Sequence, residues 1–251
     1  MTDLKAIIFD VDGTLANTEE THRKAFNYSF QQAGLDWDWT VELYTKLLKV
    51  TGGKERIRHY VTDFLNSEIE QDQVVKLHEA KNARYQEMVL QKLMPLRPGI
   101  MRLIEEARKE KIRLAIATTT SPGNVNNLVK AMMGEDAMQW FDIIAAADLV
   151  PIKKPEPDVY EYVLKHMNLS AQECVAIEDS YNGVIAATRI NIPTLITVND
   201  YTKDDVFDGA MLVVDQLGEV DKPCRVISGE QKIDNIIDIK TLRKLHKEFV
   251  S

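Results

Sequence analysis

Asp10 and Asp12 stand two residues apart at the end of an apolar run, in KAIIFDVDGTLANTEETH. Like charges this close raise each other's pKa unless a cation lies between them. Other chemically able side chains follow short apolar runs further on: Thr118 in RLAIATTT, Lys154 in PIKKPEPD, and the pair Glu178–Asp179 in CVAIEDS. The acids of Asp10, Glu178 and Asp179 make an oxygen-rich set suited to a hard cation, with Mg²⁺ the expected one. No cysteine–histidine cluster competes for zinc. A metal and Lys154 would offset the negative charge and let a phosphate approach. Asp10 could then attack phosphorus, forming an acyl phosphate. Asp12 could protonate the departing alkoxide and later deprotonate water. The Thr118 hydroxyl, backbone N–H groups near Thr119 and the start of a helix at Pro122 could hold the phosphoryl oxygens.

These residues can meet only if strands carry them to one place. Short β-branched runs recur at Ala6, Arg113, Phe141, Cys174, Thr194 and Met211. Helix-like segments beginning at Pro98, Pro122, Pro157 and Tyr181 separate the later runs. That alternation predicts an α/β fold, a doubly wound parallel sheet with helices on both faces. In such sheets ligands bind beyond the carboxyl ends of the strands, where all the residues above fall. Ser121 before Pro122, and Ser180 before the helix at Tyr181, are expected N-caps.

The stretch from Thr18 to Leu93 reads differently. It has no convincing strand, and apolar residues such as Val74, Leu77, Tyr85 and Met88 recur at helical spacing. It predicts a helical domain inserted after the first strand, leaving near Leu15–Thr18 and returning near Leu93–Pro98. The expected division is 1–16 with 95–251 as the α/β core and 17–94 as a helical cap. The tail after Lys222 is harder to read, apart from a terminal helix in IKTLRKLHKEFV.

The chain has 251 residues and a net charge of −8, which argues against a nucleic-acid partner. No apolar run approaches the roughly 18 residues of a membrane span. The first strand leaves no room for a signal peptide, so the expectation is a soluble cytoplasmic protein. Cys174 and Cys224 form no C-x-x-C pair and read as reduced, packed thiols. Nothing in the sequence sets the oligomeric state; a monomer is the default.

DVDGT, Thr118, Lys154 and EDS, in this order, resemble the motifs of the haloacid dehalogenase superfamily of phosphohydrolases. The resemblance covers nearly the whole chain, including a helical cap after the first motif. It implies Asp10 as nucleophile, Asp12 as general acid and base, and Thr118 as a phosphate ligand. Lys154 would steady the nucleophile and phosphate. Asp10, the Asp12 backbone oxygen and Asp179 would hold Mg²⁺, with Glu178 in direct or water-mediated support. GLDWDW, TGGKERI, LAIATTTS and KKPEPDVY are more closely similar to the CbbY-type phosphatases of Rubisco operons. That resemblance implies a phosphorylated sugar as substrate, xylulose-1,5-bisphosphate first. β-Phosphoglucomutase is a more distant relative with the same cap type. Members often carry Asp or Glu where this chain has Asn17, a position expected to face substrate hydroxyls.

In the cap, TGGKERIR puts a basic run after two glycines that free the backbone. Lys54 is the candidate for the distal end of the substrate, where a second phosphate would sit. His22, just past Thr18, is a candidate substrate contact. Trp37 and Trp39 read as cap core, and Lys153 as a solvated neighbour of Lys154. Two other functions fit the same strand ends. A phosphomutase uses the same aspartates but returns the phosphoryl group to the sugar. A receiver-like signalling module is phosphorylated on its aspartate without turnover; the helical insertion and the acid at Asp12 count against it.

Overall fold

In the computed structural model, residues 2–91, 94–231 and 233–251 are described. The strands are β1 (Ala6–Phe9), β2 (Arg113–Ala117), β3 (Ile143–Ala145), β4 (Cys174–Glu178), β5 (Thr194–Thr197), β6 (Leu212–Val214) and β7 (Val226–Ser228). They form one sheet in the order β3-β2-β1-β4-β5-β6-β7. All pairs are parallel except β6 with β7. The expected runs became β1 to β6. The sequence reading did not anticipate β7, whose three residues are all exposed and carry no buried-strand pattern.

Alternate residues of each central strand serve opposite faces, as the pleat requires. Ile7, Phe9, Leu114, Ile116, Val175 and Ile177 enter one buried cluster with apolar side chains of α5 (Ile100–Lys109), α6 (Pro122–Met133) and α9 (Ile239–Val250). Ala6, Ile8, Ala115, Ala117, Cys174 and Ala176 enter the other, with α7 (Asp158–Met167) and α8 (Tyr181–Thr188). Burial on both faces explains why these strands are apolar throughout rather than alternating. Cys174 packs inside β4 as expected, and both cysteines are free and buried.

Of the two expected N-caps one is made. Ser180 caps α8, its Oγ accepting from the Gly183 N–H at 3.2 Å. Ser121 precedes α6 with Pro122 in the first turn, but its side chain makes no capping bond. That expectation is corrected: the fixed φ of proline shapes the turn without help from the hydroxyl.

Between β1 and β2 the chain forms α1 (Glu19–Gln32), α2 (Val41–Leu47), α3 (Gly53–His59) and α4 (Gln71–Leu90), with a π-helical turn at Tyr60–Phe64. These helices enclose a cluster of their own around Phe26, Phe30, Trp39, Tyr44, Ile57 and Val74. Trp39 is fully buried there and Trp37 packs beside it, as expected of core. Val74, Leu77, Lys81, Tyr85 and Val89 form the buried stripe of α4. Met88, expected in that stripe, lies one residue off it and is only half-buried. Leaving and returning segments pair through Ala16 and Leu96, and the Arg97 N–H donates to the Leu15 carbonyl at 2.9 Å. The expected return point at Leu93 lies outside the described residues. No helix among the described residues is long and apolar enough to cross a membrane.

Candidate active site

β1 lies between β2 and β4, so connections leave it in both directions and open a crevice at the strand ends. The register sets the ends level: Phe9 pairs with Ile116 on one side and with Ile177 on the other. Asp10, Ala117 and Glu178 therefore emerge abreast. The Lys154 ammonium joins them, donating to Asp10 Oδ1 at 2.7 Å, Glu178 Oε1 at 2.6 Å and the Ala117 carbonyl at 2.8 Å. The Tyr160 hydroxyl also donates to Glu178 Oε1, at 2.5 Å. Gly183 is required beside it, because a Cβ there would come within 2.0 Å of Glu178 Oε2.

Carboxylate oxygens of Asp10, Glu178 and Asp179 lie within 4.8 Å of one another, and all three residues are buried. Burial pushes the Asp10 carboxyl up to about 8, with the Glu178 charge adding to it and Lys154 opposing it. Burial and the charges of Asp10 and Glu178 push Asp179 up as well. Burial alone would lower the Lys154 pKa; its two acid partners outweigh that and hold it above its ordinary value. An all-oxygen set of mutually repelling acids, offset by one lysine, has the donor chemistry of a hard divalent cation site. Asp179 is further oriented by Asn199, whose Nδ2 donates to Oδ2 at 2.7 Å. Neither Tyr160, Gly183 nor Asn199 was read as functional from sequence. The spacing of Gly183 from EDS was a usable signal; Asn199 comes from a different strand end and had none.

Asp12 is held apart from this cluster. Its Oδ1 accepts from the Thr18 hydroxyl at 2.6 Å and meets His22 Nε2 at 3.0 Å, while the Thr120 hydroxyl donates to Oδ2. Burial acts to raise the Asp12 pKa, but His22 and these hydroxyls outweigh it and leave it below the ordinary range. Burial, together with the Lys81 charge, lowers the His22 pKa. The His22 contact and the two hydroxyls together favour the ionised form of Asp12. His22 also stacks on Tyr85, with ring centroids 3.9 Å apart. It was expected to touch substrate; it lines the cavity with Nε2 on Asp12. Thr120, read from the sequence only as a source of a backbone N–H, has its hydroxyl on Asp12.

Above these residues lies a cavity of about 600 Å³ between the strand ends and the inserted helices. Asp10, Asp12, Thr118, Thr119, Lys154 and Asp179 line its floor. Lys49, Lys54, Arg56, His78 and Lys81 line its roof. Lys54 thus reaches the cavity, whereas Arg58 binds Gln71 outside it. Arg56 donates to the Tyr44 hydroxyl and to the carbonyls of Leu47 and Val50. Asn17 is exposed and is not among the lining residues; Glu19 lines the cavity instead. Roof and floor are bridged directly. Lys153, expected to be merely solvated, pairs with Glu55 at 2.7 Å. Asn182 donates to the Thr51 hydroxyl at 2.8 Å, and the Tyr201 hydroxyl to Glu20 at 2.5 Å.

A doubly wound sheet that gathers a lysine-tethered aspartate, a second aspartate and an acidic triad defines a hydrolase of the α/β class. The chain belongs to the haloacid dehalogenase-like hydrolases, whose family model matches residues 4–191. It is 46% identical over 224 residues to the plasmid-encoded CbbY protein of Cupriavidus necator, covering 88% of each chain. It is 42% identical to CbbY of Cereibacter sphaeroides, covering 86% of this chain and 94% of that one. A crystal structure of a variant CbbY from Rhodobacter sphaeroides, in complex with xylulose-(1,5)bisphosphate, superposes with a TM-score of 0.80 at 42% identity. That match covers 87% of this chain and 98% of the other. β-Phosphoglucomutase from Clostridium difficile shares the fold, with a TM-score of 0.75 at 20% identity over 98% of this chain and 99% of that one.

Proposed function

We propose that this protein is a Mg²⁺-dependent phosphatase that hydrolyses a small sugar bisphosphate through an aspartyl phosphate on Asp10. The observation that carries the reading is the pairing of two differently held aspartates under one cavity. Asp10 is tethered to Lys154, and Asp12 is held separately by Thr18, Thr120 and His22. Xylulose-1,5-bisphosphate is the first substrate to test, because a CbbY relative has been crystallised with it. A cavity lined by Lys154, Lys54 and Lys81 also supplies cations for two phosphates.

Residues 17–94 act in this reading as a cap over a core of 1–16 and 95–251. Thr118, Thr119 and the start of α6 hold the phosphoryl oxygens; Lys154 aims Asp10 at phosphorus and lowers the cost of ionising it, which a bound cation would lower further. Asp10 Oδ attacks phosphorus and the bond to the sugar oxygen breaks. Asp12 gives that oxygen a proton. It later takes one from the water that attacks the aspartyl phosphate, freeing Asp10 and inorganic phosphate. Asp12 is ionised in the free protein, which suits the second step. A dianionic phosphate entering beside it raises the cost of that charge and draws in the proton needed for the first. Asp10, Asp179, the Asp12 backbone oxygen and Glu178 would hold Mg²⁺. When bound, the ion offsets the acids' charge and that developing on the phosphoryl oxygens.

The test is inorganic phosphate release with Mg²⁺ from xylulose-1,5-bisphosphate, ribulose-1,5-bisphosphate, fructose-1,6-bisphosphate, β-glucose-1-phosphate and phosphoglycolate. Strong preference for the first supports the proposal. Turnover that conserves total organic phosphate would assign a mutase instead.

A further inference from the structure

Arg97 is buried, lies outside every motif discussed above and has no carboxylate hydrogen-bond partner among the described residues. Its guanidinium is spent on backbone. One terminal nitrogen donates to the Gly13 carbonyl, to the Thr197 carbonyl at 2.7 Å and to the Thr197 hydroxyl at 3.1 Å. The other donates to the Val198 carbonyl at 2.5 Å and the Asp215 carbonyl at 2.7 Å. A charged fork of fixed geometry, used on carbonyls from separate strand ends, sets those ends relative to one another.

The ends it joins matter. Gly13 follows Asp12 directly, at φ +83°, and packs so closely that a Cβ would fall 2.1 Å from Asp179 Oδ2 and 2.7 Å from Asn199 Nδ2. Val198 precedes Asn199, which orients Asp179. A shift of the Gly13 carbonyl therefore moves Asp12 on one side and presses on Asp179 on the other. Arg97 also sits in the returning segment, where its own N–H is bonded to Leu15.

We infer that Arg97 is a positioning residue, holding the Asp12 turn in register with Asp179 and its Asn199 support. This rests on the roles proposed above for Asp12 and Asp179. It touches no substrate; it acts by fixing where the proton donor and one metal ligand stand.

Arg97→Lys keeps the charge and loses the fork. Two readouts separate positioning from bulk stability: Mg²⁺ affinity of the full chain by titration calorimetry, and dependence on the leaving group. Supporting residues around metal sites typically cost about 10- to 100-fold on mutation, so a Mg²⁺ affinity loss of roughly tenfold or more is expected. The kcat on a sugar phosphate should fall further than on p-nitrophenyl phosphate, with KM nearly unchanged, because a displaced Asp12 matters only for a poor leaving group. A folded Arg97→Lys with unchanged Mg²⁺ affinity and equal losses on both substrates overturns the inference, whatever its Tm. If that variant does not fold, Asn199→Ala tests the metal arm alone: weaker Mg²⁺ binding is expected, and unchanged binding overturns it. Asp12→Ala and Asp179→Asn serve as controls. If they retain turnover, the proposed roles fail; if they lose it while Arg97→Lys does not, only the Arg97 inference fails.

Discussion

The floor and the roof of the cavity are built on different terms. On the floor the reactive groups are buried and committed: Lys154 has three acceptors, and Asp12 has three donors. On the roof, Lys54 is half-exposed and Glu55 is shared with Lys153 across the gap. The floor hangs on neighbouring strands, where a one-residue slip would exchange the two buried faces and take Asp10, Ala117 and Glu178 out of line. The roof hangs on the short helix α3, the 20-residue helix α4 and the loop that leads into Gly52. The difference teaches that the floor's polar groups are fixed by many partners, while the roof keeps charged groups such as Lys54 partly in solvent.

The contrast can be broken from the floor first. Asp10→Asn should reduce phosphate release by about 10⁴-fold or more, since losing a covalent nucleophile leaves only binding and electrostatics. Substrate binding, read by calorimetry, should persist; turnover in a pure preparation would refute the nucleophile. Asp12→Ala should cost on the order of 10²–10⁴-fold with an alkoxide leaving group and far less with p-nitrophenolate. Equal losses on both would remove Asp12 from the acid role.

On the roof the effects should be smaller and substrate-selective. Lys54→Ala should raise KM for a bisphosphate by roughly 10- to 100-fold, the value of one hydrogen bond to a charged group. KM for a small monophosphate should hardly move. A parallel rise in both would mean Lys54 shapes the roof rather than reading a phosphate.

The smallest effect concerns the packing of the roof. Burial, then the nearby Lys81 and Lys54 charges, lowers the His78 pKa to about 3. Between the unfolded value near 6.5 and that folded value the unfolded chain binds the extra proton, so acidification through this window destabilises the fold. From pH 7 to pH 5 the contribution should be about 1 kcal/mol once partial solvent access is allowed for. Thermal melts of wild type and His78→Asn should converge as pH falls; parallel curves would show that His78 is not protonated on unfolding.

Much of the floor was legible in the sequence for a physical reason. Doubly buried parallel strands must be apolar, so an acid, threonine or lysine at their ends stands out. Asp10, Thr118, Lys154, Glu178 and Asp179 were each visible that way. The helices between β1 and β2 were legible from their period, which is how Tyr85 was placed in a core. Less was legible where function depends on residues distant in sequence. Lys153 looked solvated because its partner Glu55 is 98 positions away. Asn17 drew notice by position, yet lies outside the cavity that Glu19 lines.

The sequence by itself therefore determined the six parallel strands β1 to β6, the helical insertion and the acids available to it, because burial and local geometry constrain residue type one element at a time. Only the tertiary structure decided which hydroxyls and imidazole hold Asp12, which residues roof the cavity, and what Arg97 ties together. Those are contacts between strand ends, loops and helices, and a hydrogen bond across a fold leaves no period in the chain that makes it.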